Sequence, residues 1–179
     1  MPPGRVLDIG CGHGLLAHLS VMADPGIRVV GLDVDRRKID AATAATRRLG
    51  LTRRAEFAPI GASLPEGPFD AVVITDVLYL LDEPTAFRLL DSATGVLAPD
   101  GSVVVKEMAL DPRWKARWNE RQEHAATRVL RFTVGDVAGV HDPERVRDHL
   151  EDLGLTVRQR RIDRHYPHPH HLTIATRGR

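Results

Sequence analysis

Val6-Leu7-Asp8-Ile9-Gly10-Cys11-Gly12-His13-Gly14 decides the fold of this 179-residue chain. An apolar run carrying one acid ends in glycine at every second position, and residues 14–22 then read as a helix. The stretch is therefore strand, tight loop and helix. Glycines permit such a turn and let backbone approach a ligand closely. The helix start adds free N–H groups and a partial positive charge. This is a nucleotide-type site, and its physical logic alone does not say which nucleotide.

Working outward, short apolar runs alternate with helical patterns, the mark of an α/β sheet protein. Strands are predicted over residues 5–9, 28–33, 54–58, 69–75, 102–108, 155–163 and 172–176. Helices are predicted between them. Asp35 is an N-cap candidate and Gly50 a stop, with Ile39, Ala42, Thr46 and Leu49 on the face toward the sheet. Pro84 suits the first position of a helix ending near Leu97. Asp111-Pro112 starts a long amphipathic helix marked by Trp114 and Trp118, and Asp142-Pro143 starts another that ends at Gly154. Pro99-Asp100-Gly101 is read as a turn, and residues 164–171 as an extended hairpin tip rich in histidine. No linker divides the chain, so residues 1–179 are read as a single domain.

The segment Asp8-x-Gly10-x-Gly12-x-Gly14 resembles motif I of the class I S-adenosylmethionine (SAM)-dependent methyltransferases at every specified position. A dinucleotide fingerprint would need G-x-G-x-x-G, and Leu15 after Gly14 breaks it. The stretch Val29-Val30-Gly31-Leu32-Asp33-Val34-Asp35 resembles motif II. Residues 69–81 and 97–105 resemble the later motifs around the fourth and fifth strands. The likeness is strong over residues 5–108 and only general beyond them.

The resemblance implies a doubly wound, mostly parallel seven-stranded sheet of order 3-2-1-4-5-7-6, its last strand antiparallel. It implies SAM as cofactor and S-adenosylhomocysteine (SAH) as product. In the family the motif I acid, here Asp8, holds the methionine end of SAM, and the motif II acid, here Asp33, holds the ribose hydroxyls. Cofactor contact is accordingly expected at Asp8, Gly10, Cys11, Gly12, Gly14, Asp33, Val34, Ile60, Gly61 and Asp76. Many members carry an acid that meets adenine after the third strand. Ile60 stands there instead, so apolar packing and backbone N–H groups near Ile60, Gly61 and Ala62 are expected to replace it. Many members carry helices before motif I that cover the cofactor, whereas Met1–Gly4 stand before the first strand in this sequence. Three covers remain open: none, the helix from Pro112, or a second subunit in a homodimer.

On the acceptor side, Tyr79, Trp114 and Trp118 are candidate pocket residues, and His168, His170 and Asp76 are candidate general bases. The histidine cluster 165–171 does not have metal-site spacing on regular elements, and no metal is expected. Residues Thr75-Asp76-Val77-Leu78 stand where amino-methylating enzymes often carry Asn/Asp-Pro-Pro-Tyr/Phe, which disfavours nitrogen acceptors. A formal net charge of +1 with dispersed basic residues disfavours nucleic acid. A single cysteine, no leader-like N-terminus and no run of about 20 apolar residues point to the cytoplasm. The expected activity is methyl transfer to a small-molecule or carrier-bound acceptor, on oxygen or carbon. The rival readings are a non-catalytic SAM-binding partner subunit and, more weakly, an NAD-dependent oxidoreductase.

Overall fold

A computed structural model describes residues 4–108, 141–162 and 170–178. Seven strands form one sheet in the order β3-β2-β1-β4-β5-β7-β6. They are β1 (Gly4–Ile9), β2 (Ile27–Asp33), β3 (Ala55–Pro59), β4 (Phe69–Thr75), β5 (Leu97–Met108), β6 (Leu155–Arg161) and β7 (His170–Arg177). The first five pair in parallel, and β7 runs antiparallel to both β5 and β6. The expected order and the antiparallel last strand both hold.

Four described helices cover the two faces: α1 (Leu15–Ala23), α2 (Arg36–Arg48), α3 (Glu83–Gly95) and α4 (Pro143–Asp152). Strand alternation sorts the side chains between them. Leu7, Ile9, Val72, Ile74, Val103 and Val105 enter one core with Leu90 of α3 and Leu150 of α4. Val6, Val29, Ala71 and Val73 enter the other core with Ala17 and Val21 of α1. A buried His18–Thr46 hydrogen bond of 2.8 Å joins α1 to α2, and His149 to Asp91 at 2.8 Å joins α4 to α3. Each fully buried Leu or Val side chain contributes roughly 1.5–3 kcal/mol, so these two layers hold the sheet edge rigid for the site above it.

Local chemistry sets the helix ends. The Asp35 carboxylate accepts from the Arg37 N–H at 2.9 Å, and Gly50 closes α2 with a φ of 69°. Ile39, Ala42 and Thr46 are buried as the spacing predicts, whereas Leu49 is 49% exposed because α2 has already ended one residue before it. Asp82 caps α3, which moves Pro84 to the second helical position. Asp142 caps α4 through the Glu144 N–H.

Other boundaries differ from the sequence reading. Pro99-Asp100-Gly101 lies within β5, and the register between β4 and β5 shifts between Phe69 and Ala71 to absorb it. His170 and His171 belong to β7 and not to a hairpin tip: they pair with Met108 and Glu107 of β5, whose ladder extends further than apolar content alone suggests. The long helix expected from Pro112, with Trp114 and Trp118, and the residues His165 and His168 lie outside the described residues.

Candidate functional site

The carboxyl ends of the parallel strands form one edge, the place where open α/β sheets bind ligands. Acids stand at or near the ends of four adjacent strands there: Asp33 on β2, Asp8 on β1, Asp76 after β4 and Glu107 on β5. The glycine loop springs from the middle of this row. Gly10 and Cys11 donate to the Leu32 carbonyl at 2.7 and 2.9 Å, which ties the loop to β2. Gly10 has a φ of 76°, and a Cβ there would strike the Val77 side chain. Gly14 enters α1 with a φ of 75°, and its Cβ would meet the Phe57 ring at 2.6 Å. Both positions require glycine twice over, for conformation and for space.

Asp33 is 7% exposed and its two oxygens have separate tasks. Oδ2 accepts from the Gly12 N–H and Oδ1 from the Asp35 N–H, both at 2.9 Å. The motif II acid thus fastens the motif I loop to the start of α2. Asp8 is 3% exposed, and its Oδ2 has no hydrogen-bond partner among the described residues. Burial, and then the nearby Asp33 charge, push the Asp8 carboxyl up to about 7. Burial and the same two acids push the Cys11 thiol up to about 12, so Cys11 fills the loop as a neutral group with no thiolate character.

On the adenine side, the Ile60 N–H donates to the Asp33 carbonyl at 3.0 Å. That donor, expected to be open to a ligand, is already used. Ile60 packs against the core and Gly61 is exposed, while Val34 stands 74% exposed beyond β2.

The acceptor side begins at Asp76, which has a φ of 56° and donates its N–H to the Lys106 carbonyl. Both its carboxylate oxygens accept from Lys106 Nζ, at 2.7 and 2.6 Å. The candidate base is therefore committed to an ion pair. A 3₁₀ turn, Leu78–Leu80, follows and carries Tyr79. Glu107 Oε1 accepts from the N–H groups of Val77 and Leu78, each at 2.8 Å. His170, the other described base candidate, lies at the start of β7 beside Met108, with its carbonyl accepting from Ile162.

Sequence reading missed Lys106, Glu107 and His141. A signal existed for two of them. Val103-Val104-Val105 ends in Lys106-Glu107, a charged pair at the tip of an apolar strand, as Asp8 and Asp33 are at the tips of theirs.

A glycine cradle stands at a helix start, flanked by two buried acids with one carboxylate oxygen unsatisfied, and that oxygen can accept from a cationic group of a ligand. A methyltransferase domain model matches residues 1–166. The chain belongs to the methyltransferase domain family. SAM, the expected cofactor, is the cofactor of the class I members of that family, whose fold this is. Among curated relatives, a ubiquinone biosynthesis O-methyltransferase of Caulobacter sp. (strain K31) is 31% identical over 157 residues, covering 78% of this chain and 61% of its own. A release factor glutamine methyltransferase of Rhodospirillum rubrum is 42% identical over 109 residues, 54% of this chain and 33% of its own. An O-methyltransferase family protein from Burkholderia thailandensis shares the fold with a TM-score of 0.78 at 22% identity, over 97% of this chain and 51% of its own. This methyltransferase domain thus spans from about a third to about three fifths of the length of these proteins. Among the described residues, no helix is long and apolar enough to cross a membrane, and no cluster of three or more metal-ligating side chains occurs.

Proposed function

We propose that this domain transfers the methyl group of SAM to an oxygen, or secondarily a carbon, of a small-molecule or carrier-bound acceptor. The observation that carries the cofactor half is the buried Asp8 carboxylate, with Oδ2 unpartnered beside the glycine loop. A buried acid of this kind is costly until a cation reaches it. Asp8 would hold the amino group of the methionine end. Asp33 retains lone pairs for the ribose hydroxyls after serving Gly12 and Asp35. Gly10, Cys11, Gly12 and Gly14 would line the methionine and ribose side, and Val34, Ile60 and Gly61 the adenine.

When bound, SAM supplies a methyl group already activated on a sulfonium. An acceptor oxygen held in line would take that methyl carbon with loss of the carbon–sulfur bond and of its own proton, giving SAH. The protein's contribution is alignment, worth roughly 7–11 kcal/mol of the barrier when near-attack geometry is held. Tyr79, on the turn after β4, would face the acceptor. The Asp76–Lys106 pair would fix the floor of that space and leaves Asp76 a structural part in place of the expected base. His170 stays a candidate for the proton. The oxygen preference draws support from the O-methyltransferase relative and from the Thr75-Asp76-Val77-Leu78 sequence. The single thiol, lodged in the loop, suits a reducing cytoplasm.

Calorimetry with SAH and with NAD, followed by transfer of labelled methyl from SAM to a panel of catechols, phenols and carboxylic acids, tests this. SAH binding with label on a phenolic oxygen is the expected result. NAD binding without SAH binding overturns the cofactor assignment. SAH binding without any labelled product overturns the catalytic one and favours a SAM-binding partner module.

A further inference from the structure

The 3₁₀ turn that carries Tyr79 is held at both ends by ionisable side chains from elsewhere in the fold. At its start, Glu107 Oε1 receives the N–H groups of Val77 and Leu78. At its end, His141 Nε2 lies 2.8 Å from the Leu78 carbonyl and 3.1 Å from the Leu81 carbonyl. Both of those partners are acceptors, so Nε2 carries a proton and donates. Within the turn, backbone bonds run from the Leu80 N–H to the Val77 carbonyl and from the Leu81 N–H to the Leu78 carbonyl. An acid at the amino end and an N–H donor at the carboxyl end satisfy the groups that a short helix leaves open.

The turn is also seated on the cofactor loop. The Val77 side chain occupies the space a Gly10 Cβ would need, and Leu78 is fully buried in the core. Glu107 itself is anchored within β5, opposite His171 of β7. A cavity of about 20 Å³ beside it is lined by Val105, His141, Val146, His171 and Thr173. Its size suits about one water molecule. Glu107 Oε2 is buried and has no partner among the described residues, so it is set to meet such a molecule. A buried carboxyl is a costly way to end a strand, and an apolar residue would avoid that cost only by leaving the Val77 and Leu78 N–H groups without their acceptor. What the acid adds is a two-point grip on the amino end of the turn, beyond the burial of Leu78.

We propose that Glu107 and His141 are positioning residues: together they clamp residues 77–81 so that Tyr79 faces the acceptor at a fixed distance from the glycine loop. This rests on the methyltransferase reading above. Neither side chain touches the reacting atoms. Glutamine at either position keeps the needed atoms, a carbonyl oxygen for the two N–H groups or an amide N–H for the two carbonyls. Alanine removes them.

The experiment compares Glu107→Ala, Glu107→Gln, His141→Ala and His141→Gln in the full chain. Amide hydrogen exchange over residues 76–82, SAH affinity, and kcat against KM with the best phenolic acceptor are read for each. In the alanine variants, exchange in that segment should rise about tenfold or more and kcat should fall by a similar factor, with SAH affinity within about threefold. The glutamine variants should restore both. Unchanged exchange in both alanine variants overturns the clamp. So does an equal loss of kcat in Glu107→Ala and Glu107→Gln with exchange intact, which would make Glu107 a chemical participant. If Glu107→Ala does not fold, the His141 pair and Glu107→Gln give the same discrimination. If the parent protein methylates nothing in the panel, the methyltransferase reading fails, while exchange with glutamine rescue still decides whether the turn is clamped.

Discussion

Binding of the cofactor should release a proton from Asp8. In the free protein the Asp8 carboxyl titrates near 7, raised by burial and then by the Asp33 charge. Arrival of the ligand's amino group stabilises the carboxylate and returns it toward the ordinary range near 4, a change of about 3 pH units or roughly 4 kcal/mol at most. The protonated fraction of free Asp8 is then about 0.9 at pH 6 and about 0.25 at pH 7.5. SAH should therefore bind about eightfold more tightly at pH 7.5 than at pH 6, releasing about 0.9 proton at the lower pH. Titration calorimetry in two buffers of different ionisation enthalpy measures both quantities. The window stops at pH 7.5 because the amino group of the ligand begins to titrate above it. Asp8→Asn should bind SAH with no such slope and about 10–100-fold more weakly at pH 7.5, having lost a charge-assisted hydrogen bond. A flat affinity in the parent protein, or the same slope in Asp8→Asn, would refute the assignment of Asp8 to the cationic end of the cofactor.

Three further outcomes follow from the same edge. Asp33→Ala should weaken SAH by about 1–3 kcal/mol in calorimetry, and should also lower Tm because the Gly12 and Asp35 N–H groups lose their acceptor; unchanged affinity removes Asp33 from the ribose site. Gly10→Ala should cost more than the roughly 1 kcal/mol of a strained φ alone, since the added Cβ meets Val77; a denaturant midpoint equal to the parent's would show that the turn after β4 yields freely. Glu107 has a folded-state value raised by burial from 4.5 to about 7. A raised acid favours the folded state most below its unfolded value, and that advantage is lost as pH climbs through about 7. Stability of the parent relative to Glu107→Gln should therefore drop by about 3 kcal/mol between pH 4 and pH 8 in urea titrations, and a constant difference would contradict the burial of that carboxyl.

Much of this protein was legible in its sequence, and the reasons are local. Glycine at every second position after an apolar strand permits the positive φ angles of a tight turn and a close backbone approach, so residues 8–14 specify both a turn and a cradle. Strand and helix periods differ, so seven strands and their helices separate cleanly, and Asp35 and Asp142 cap the helices that follow them. The acid at the end of β2 was visible because it follows motif I at a set distance. The boundaries that failed were those where a ladder partner outweighs composition. His170 and His171 look like turn residues until β5 offers Met108 and Glu107 to pair with them. Leu49 looks like a core residue until α2 ends before it.

Tertiary structure alone decided which polar groups meet. Asp76 looked like a base, and only the adjacency of β4 and β5 brings Lys106 onto both of its oxygens. Ile60 offered a backbone donor until the pairing of β3 with β2 gave it to Asp33. Glu107 and His141 are about thirty and sixty residues from the turn they hold, distances over which no periodic pattern carries information. The sequence by itself determined the elements and their succession along the chain, because those follow from near-neighbour sterics and hydrophobic period, while the sheet order and the ligand of the glycine loop were implied by the resemblance to the methyltransferase motifs. The structure decided the partners of the acids along the sheet edge and the raised carboxyls of Asp8 and Glu107, because burial and charge depend on what the fold brings within a few ångströms.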